Sequence, residues 1–521
     1  MRSVFSFFLK SFDKENIIFF IQLFLLLFAV DCYIWISREC YAYCCYVAAH
    51  DWITAYGLVL TTFVLPANIR YVYRIALISI LYLFVTLDLF CLTNFGANFN
   101  EDIAAIITGT NLNEAAEFMS TYVSFQFIFC ALGGITASLY SFYLLNRWQN
   151  DHMIVNNIKI VGGIVGLISI AICFALSVRN PIWQETFIGK FYTLLSVEKA
   201  PDLKKYYTHP VLENVGKQPQ IIVLIIGESF SRDCSSLYGY EKQTNPYLSS
   251  LKENGLLYTF ECVESVATNT IPNFKSIMAA WRMEYQDSLQ WYECTTMPEV
   301  MRTAGYATSW VSNQSAKGIF DNVVGRYAEL CDTSLFVGNK FSGMSRKDLD
   351  EETIGLVQGI MIQERAERSL YFIHLMGSHT AFKSRYPAHF DRFKPADYLQ
   401  YPEPQRKNRA EYDNSILYND SVVCQLMDLF KDKEAIVFYF SDHGLDIYKS
   451  SDDYMGHGKT EDAVSAEAGK RIPFMIYATP LYQQHFPEMM ELINSHTATP
   501  FQTDKMIEII MKVAGVQYKN G

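Results

Sequence analysis

The chain has 521 residues, too many for one ordinary domain, so two domains are the starting expectation. It is 50% hydrophobic and 15% aromatic, with the long apolar runs before residue 180 and most of the charge after it. A formal charge of −11 excludes the usual nucleic-acid binder, whose binding face is basic.

Five apolar runs, each near the roughly 20 residues that a bilayer core requires, predict membrane-spanning helices at 17–37, 44–66, 71–93, 120–145 and 158–178. The first is too long for a signal-peptide core and lacks a small-residue cleavage site, so it is expected to be retained. Arg2, Lys10 and Lys14 precede it, Arg70 and Arg74 flank the entry to the third run, and Arg147 and Lys159 flank the last turn. On the other side, loop 38–43 holds only Arg38, and loop 94–119 holds no lysine or arginine. The positive-inside rule therefore places the N-terminus in the cytoplasm. An odd number of spans puts the rest of the chain outside, in the periplasm if the cell is bacterial. Asp31, Asp51 and Asp88 fall within or close to span ends and are expected to reach the outer interface.

Of the twelve cysteines, Cys234, Cys262, Cys294, Cys331 and Cys424 lie in the exported part, where disulfides can form. The connector, 181–215, carries Phe187, Ile188, Phe191, Tyr192, Leu194 and Leu195 at helical spacing, with Lys190 and Glu198 among them. This fits an amphipathic helix on the membrane surface, or an ordinary helix packed on the exported domain.

From residue 216 short apolar runs alternate with helical stretches, the pattern of an α/β domain with a parallel sheet. The best strand candidates are Ile221–Ile226, Ser309–Ser312, Leu370–Ile373 and Ala435–Phe440. Ligands in such sheets bind beyond the carboxyl ends of the strands. There the sequence offers Gly227-Glu228-Ser229, His374 with His379, and Ser441-Asp442-His443-Gly444. Carboxylates with imidazoles and no thiolate suit Zn²⁺ or Mn²⁺. Ser229 alone reads equally as a helix cap. In Ala267-Thr268-Asn269-Thr270-Ile271-Pro272-Asn273, Pro272 suits the first turn of a helix over 273–281, which places Thr270 near its positive end. A threonine hydroxyl is a poor nucleophile unless a metal or base activates it. A metal held by Glu228, Asp442 and His443 would let Thr270 attack as an alkoxide. As a bare helix start, Thr270 reads as a cap.

These features together resemble the phosphoethanolamine transferases of Gram-negative envelopes, in the alkaline phosphatase/sulfatase superfamily. The similarity includes Ser236-Leu237-Tyr238-Gly239-Tyr240 with Thr244 and Pro246, Met376-Gly377-Ser378-His379 with Arg385-Tyr386-Pro387, and Tyr412-Asp413-Asn414-Ser415-Ile416-Leu417-Tyr418. The outer loop 110–118 is similar too. The resemblance implies a transmembrane domain at 1–180 and a periplasmic α/β/α catalytic domain at 216–521 of an inner-membrane enzyme. It implies one zinc held by Glu228, Asp442, His443 and Thr270, with Thr270 as nucleophile and Thr268 as its rival. It places His379 and His457 on the phosphoryl group or on a second zinc. The implied donor is phosphatidylethanolamine and the implied acceptor a lipid A, core sugar or other envelope glycan. The alternatives are a phosphoglycerol transferase using phosphatidylglycerol, or a membrane-anchored phosphodiesterase or sulfatase-like hydrolase.

Overall fold

The computed structural model describes residues 14–37, 41–95, 156–179, 186–196 and 200–519, with a few isolated positions between 99 and 143. Within the last stretch 287, 315–322, 338–348, 404, 453 and 460–461 are not described. The chain divides between Glu198 and Lys199 into two compact units.

In the first unit, helices α1 (Lys14–Ser37), α2 (Tyr41–Thr61), α3 (Ala67–Phe95) and α4 (Asn156–Arg179) overlap the first, second, third and fifth predicted spans. The predicted fourth span, 120–145, lies mostly outside the described residues. Helix α2 ends before residue 66 because the chain turns through Thr62–Val64 ahead of Pro66, which has no N–H to give to a helix. Among the described residues, one segment, Ile69–Cys91, is long and apolar enough to cross a membrane, with a mean hydropathy of 2.0. Asn16–Phe28 and Ile160–Ala175 are shorter apolar stretches.

Phe19, Leu23 and Leu27 of α1 pack with Ala55, Leu58 and Val59 of α2 and with Ile78 and Leu81 of α3. Val72, Leu83, Leu167 and Ile168 are exposed, so these helices are apolar outside as well as within, which suits hydrocarbon better than water. Helices α2 and α4 cross at paired glycines. A Cβ on Gly166 would stand 2.7 Å from the Gly57 carbonyl oxygen, and one on Gly57 would stand 3.1 Å from that of Gly166. Small residues at such crossings let two backbones touch where no hydrophobic drive holds helices together.

Asp51 and Asp88 are buried within the first unit. Asp51 sits in the middle of α2, 1% exposed, with its Oδ1 3.3 Å from His50 Nδ1. Asp88 is buried in α3 and accepts hydrogen bonds from Lys190 Nζ at 2.7 Å and Phe99 N at 3.0 Å. Lys190 belongs to α5 (Phe187–Ser196), so this connector helix turns its lysine inward rather than to a polar surface. A charge in an apolar setting is stable only when paired, and here each partner supplies the other's counter-charge. The side chain of Asp31 lies outside the described residues.

The second unit is built on a seven-stranded sheet: β1 (Ile221–Gly227), β2 (Leu257–Thr259), β3 (Ala307–Ser312), β4 (Thr333–Phe336), β5 (Ser369–His374), β6 (Ala435–Ser441) and β7 (Phe474–Ala478). Their order is β2-β7-β6-β1-β5-β3-β4. The run from β6 to β4 is parallel, and β7 lies antiparallel to β6. The four predicted strands are present. The sequence pattern missed β2 and β4 because each has only three or four residues, and β7 because Phe474-Met475-Ile476-Tyr477-Ala478 has one β-branched residue to mark it.

Alternate residues of β1 feed two cores, Ile222, Leu224 and Ile226 into one and Val223 and Ile225 into the other. Helices Thr270–Met278 and Met297–Thr303 cover the first face, and Glu352–Gln363 and Gln405–Asp428 cover the second. The result is an α/β/α sandwich. The five cysteines of the second unit are all free thiols, with Cys234 and Cys294 buried and Cys262 exposed.

The glycine crossing is directly testable. Gly166→Ala forces a methyl against rigid backbone and is expected to cost about 1–3 kcal/mol, read as a lower Tm of the detergent-solubilised protein. Gly133→Ala is the control, because a Cβ there meets nothing within 4 Å among the described residues.

Candidate functional site

Parallel pairing sets the strand ends level. Gly227 pairs with Ser441 and Ile226 with His374, so the residues that follow β1 and β6 emerge side by side. Glu228, Asp442 and His443 are all buried there, and their ligand-type atoms lie within 4.8 Å of one another. His443 Nε2 stands 3.0 Å from Glu228 Oε1 and 3.7 Å from Asp442 Oδ2. Thr270 Oγ1 completes the group, 3.2 Å from Glu228 Oε2 and 3.4 Å from His443 Nε2.

The local folding explains these orientations. His443 Nδ1 donates to the Gly444 carbonyl at 2.6 Å, which turns Nε2 toward the carboxylates. Asp442 Oδ1 accepts from Ser229 N and His443 N, at 3.3 and 2.7 Å, while its buried Oδ2 makes no hydrogen bond among the described residues. The helix bearing Thr270 starts at Thr270 itself and runs to Met278, three residues earlier than the predicted 273–281. The reason lies in Asn273, whose side chain donates to the Ala267 and Asn269 carbonyls and accepts from Ala267 N, folding the preceding loop into the first turn. Thr270 therefore occupies the first helical position, and Asn269 the cap. Thr268 is buried, and its carbonyl accepts from His457 Nδ1 at 2.8 Å.

His457 lies with its ring 4.8 Å from that of His443. His379 is half-buried on the loop after β5, near enough for its charge to act on both Glu228 and His457. Neither belongs to the three-donor group. His374 points into the core, against Phe274 at 4.8 Å, with Nδ1 3.3 Å from Ser312 Oγ.

Electrostatics follow from burial. Burial opposes charge on Glu228, yet His443 beside it holds its carboxyl well below the usual range. Burial, and then the charge of Glu228, push Asp442 up to about 8. Burial works against a charged His443, but Asp442 and Glu228 outweigh it and hold the imidazole up to about 9. Burial and the neighbouring His443 push His457 down to about 4, so it is neutral. An ionised Glu228 beside an Asp442 and a His443 that hold protons they would not carry in water, all three buried, matches the donor set of a divalent cation. The unpartnered Asp442 Oδ2 supports that fit.

Several supporting residues escaped the sequence pattern. Ser229 caps no helix; it has a left-handed φ of 56°, and its hydroxyl donates to Glu228 Oε1 at 2.8 Å. Gln314 Nε2 donates to Glu228 Oε2 at 3.3 Å and to the Leu375 carbonyl at 3.2 Å. Asp350, buried, accepts from Met376 N, Gly377 N and Asn313 Nδ2, each within 2.9 Å, and so fixes the loop that carries His379. Gly377 has φ 54°, and a Cβ there would strike Glu228 N at 2.7 Å. That Met376-Gly377 turn was the one available signal.

The proton content gives a test. Protons occupy Asp442 and His443 below about 8 and 9, so apparent affinity for added Zn²⁺ should rise with pH and level off near the upper value. Calorimetry at pH 7 in buffers of different ionisation enthalpy should read about two protons released per metal ion. Asp442→Asn should lower that to about one.

The sequence model of the sulfatase family matches residues 220–516. The phosphoethanolamine transferase EptC of Escherichia coli O18:K1:H7 is 26% identical over 428 residues, covering 75% of this chain and 72% of that protein. Among solved structures, the integral membrane lipooligosaccharide phosphoethanolamine transferase A of Neisseria meningitidis superposes with a TM-score of 0.70 at 15% identity, covering 96% of each chain. The C-terminal periplasmic domain of Escherichia coli EptC, in complex with Zn, covers 60% of this chain and 87% of that domain, with a TM-score of 0.52 at 24% identity. With more than half of its length matched, and with Glu228, Thr270, Asp442 and His443 all inside the match, the chain belongs to the sulfatase family.

Proposed function

We propose that this chain transfers phosphoethanolamine from phosphatidylethanolamine to an envelope acceptor, through a covalent ester on Thr270. The observation that carries this reading is the placement of Thr270 Oγ1 against Glu228 Oε2 and His443 Nε2, at a helix start, beside two imidazoles. Relatives named as phosphoethanolamine transferases support the donor group. The inner membrane, several spans and a periplasmic second unit are parts of the same proposal.

Glu228, Asp442, His443 and Thr270 would hold the zinc, with a second zinc or Mn²⁺ as variants of that assignment. When bound, zinc supplies a Lewis acid that lowers the pKa of a coordinated hydroxyl and neutralises phosphoryl charge. In the first step the Thr270 Oγ1–phosphorus bond forms as the phosphorus–oxygen bond to diacylglycerol breaks. The hydroxyl proton passes along the hydrogen bond to Glu228 Oε2, and that proton is then given up to the departing alkoxide, which leaves as diacylglycerol. The first-turn N–H groups of the Thr270–Met278 helix face developing negative charge. His457, its Nδ1–H donated to the Thr268 carbonyl, would donate from Nε2 to a phosphoryl oxygen once the anionic group has brought it a second proton, and His379 adds a second imidazole. An acceptor hydroxyl or phosphate then attacks phosphorus, the Thr270 ester breaks, and Oγ1 regains a proton.

Two outcomes check this. With labelled phosphatidylethanolamine, Thr270→Ala should form no peptide adduct, whereas Thr268→Ala should retain transfer because its contribution to His457 is a backbone carbonyl. An adduct mapped to Thr268, or a preference for phosphatidylglycerol, would overturn the assignment. A reporter fused after Gly521 should be active only outside the cytoplasm, and one after Arg147 only inside; an exported Arg147 fusion would contradict the five-span topology.

A further inference from the structure

A groove of about 800 Å³ opens in the second unit, lined by residues that include Arg232, Glu264, Arg282, Arg471 and Lys505. Three chain segments join it to the candidate centre. Arg232 follows Ser229 by three residues, and its N–H donates to the Arg471 carbonyl at 3.1 Å. Val266, in the groove wall, precedes Thr270 by four residues. Gly469 lies between the groove residues Glu467 and Arg471; its carbonyl accepts from Gly444 N at 2.8 Å, next to His443. A Cβ on Gly469 would stand 2.8 Å from Thr268 Cγ2. The segments that line the groove thus run directly into those that carry the reacting residues.

The charges in the groove are not equivalent. Arg282 is held by Glu508 at 3.1 Å and Asp504 at 3.7 Å, and Arg471 by Glu467 at 3.0 Å and Asp233 at 3.3 Å. Among the described residues, no carboxylate pairs with Arg232 or Lys505. The Arg232 guanidinium lies over the Tyr238 ring at 5.9 Å, and Lys505 is exposed. Glu264, also exposed, stands on the same wall. A polyanion would be repelled by Glu264 and Glu284 there, and a neutral glycan would leave both cations unused. A sugar chain with an anionic substituent among its hydroxyls satisfies both.

Resting on the transfer reading above, we propose that this groove is the acceptor site, taking an acidic sugar chain with its phosphate or carboxylate on Arg232 and Lys505 and hydroxyls on Glu264. It holds the part of the acceptor remote from the reacting hydroxyl, and contact there positions that hydroxyl at the Thr270 ester.

The test separates the half-reactions of the full-length protein. Labelled phosphatidylethanolamine first loads Thr270, and a phosphorylated lipopolysaccharide core oligosaccharide, or its phosphatase-treated form, then discharges it. The double variant R232Q/K505Q should load at the native rate but need at least tenfold more phosphorylated oligosaccharide for half-maximal discharge, with little change for the dephosphorylated form. R232K in the K505Q background should restore part of the loss. The phosphorylated oligosaccharide should also slow alkylation of the exposed groove thiol Cys262 in the native protein and not in the variant. Equal half-maximal concentrations, or unaltered Cys262 alkylation, would overturn the groove assignment. A native protein that never loads Thr270 would instead refute the transfer reading, while Cys262 protection still reports on the groove.

Discussion

Two buried carboxylates and a buried imidazole, confined within 4.8 Å, are the constraint around which the second unit is organised. Like charges at such distances in a dry setting cannot both ionise without a cation, and burial alone would drive all three groups to neutrality. The fold brings them together because β1 and β6 are parallel neighbours in matched register, so Gly227 and Ser441 end level. A slip of one residue would reverse the facing of every side chain in the strand and separate Glu228 from Asp442. Sheet register, set by which apolar side chains face which core, therefore dictates the position of a few polar atoms.

Around that group lies a shell in which backbone atoms do most of the positioning. Gly444 accepts His443 Nδ1, Thr268 accepts His457 Nδ1, and Asp350 binds two consecutive N–H groups of the Met376-Gly377 turn. Glycines make this possible where chains touch. At Gly377, with φ 54°, a side chain would collide with Glu228 itself, so the turn has no other residue available to it without moving the site. Imidazoles fixed through one ring nitrogen present the other in a single tautomer, and a preorganised site gains its rate advantage in this way.

The first unit applies the same rule to a set of apolar helices. Its helices are apolar on both faces, so packing specificity comes from the Gly57–Gly166 crossing and from polar groups that must find partners within the unit. Asp88 with Lys190 is the clearest case: removing either partner would leave an uncompensated buried charge, at a cost of about 3–5 kcal/mol. The pair ties the connector helix α5 to α3, which gives a buried lysine in an otherwise amphipathic segment its physical reason.

The sequence by itself determined the class of the molecule. Long apolar runs mark helices for hydrocarbon, and Ile221–Ile226 and Ala435–Phe440 are apolar on both faces and so must be central parallel strands. Chemistry-bearing residues immediately past such strands must then share one edge of the sheet, and Glu228, Asp442 and His443 were legible for that reason. What only the tertiary structure decided were matters of contact across long separations. Thr270 rather than Thr268 faces the acids because Asn273 folds the loop, a choice that two threonines at a helix start do not reveal. Gln314, Asp350 and Ser229 act through single hydrogen bonds to distant segments or through one strained backbone angle, and these leave no periodic trace in composition. Helical spacing reports the face on which Lys190 lies and not its neighbour; only the packing shows it turned inward against Asp88, 102 positions away.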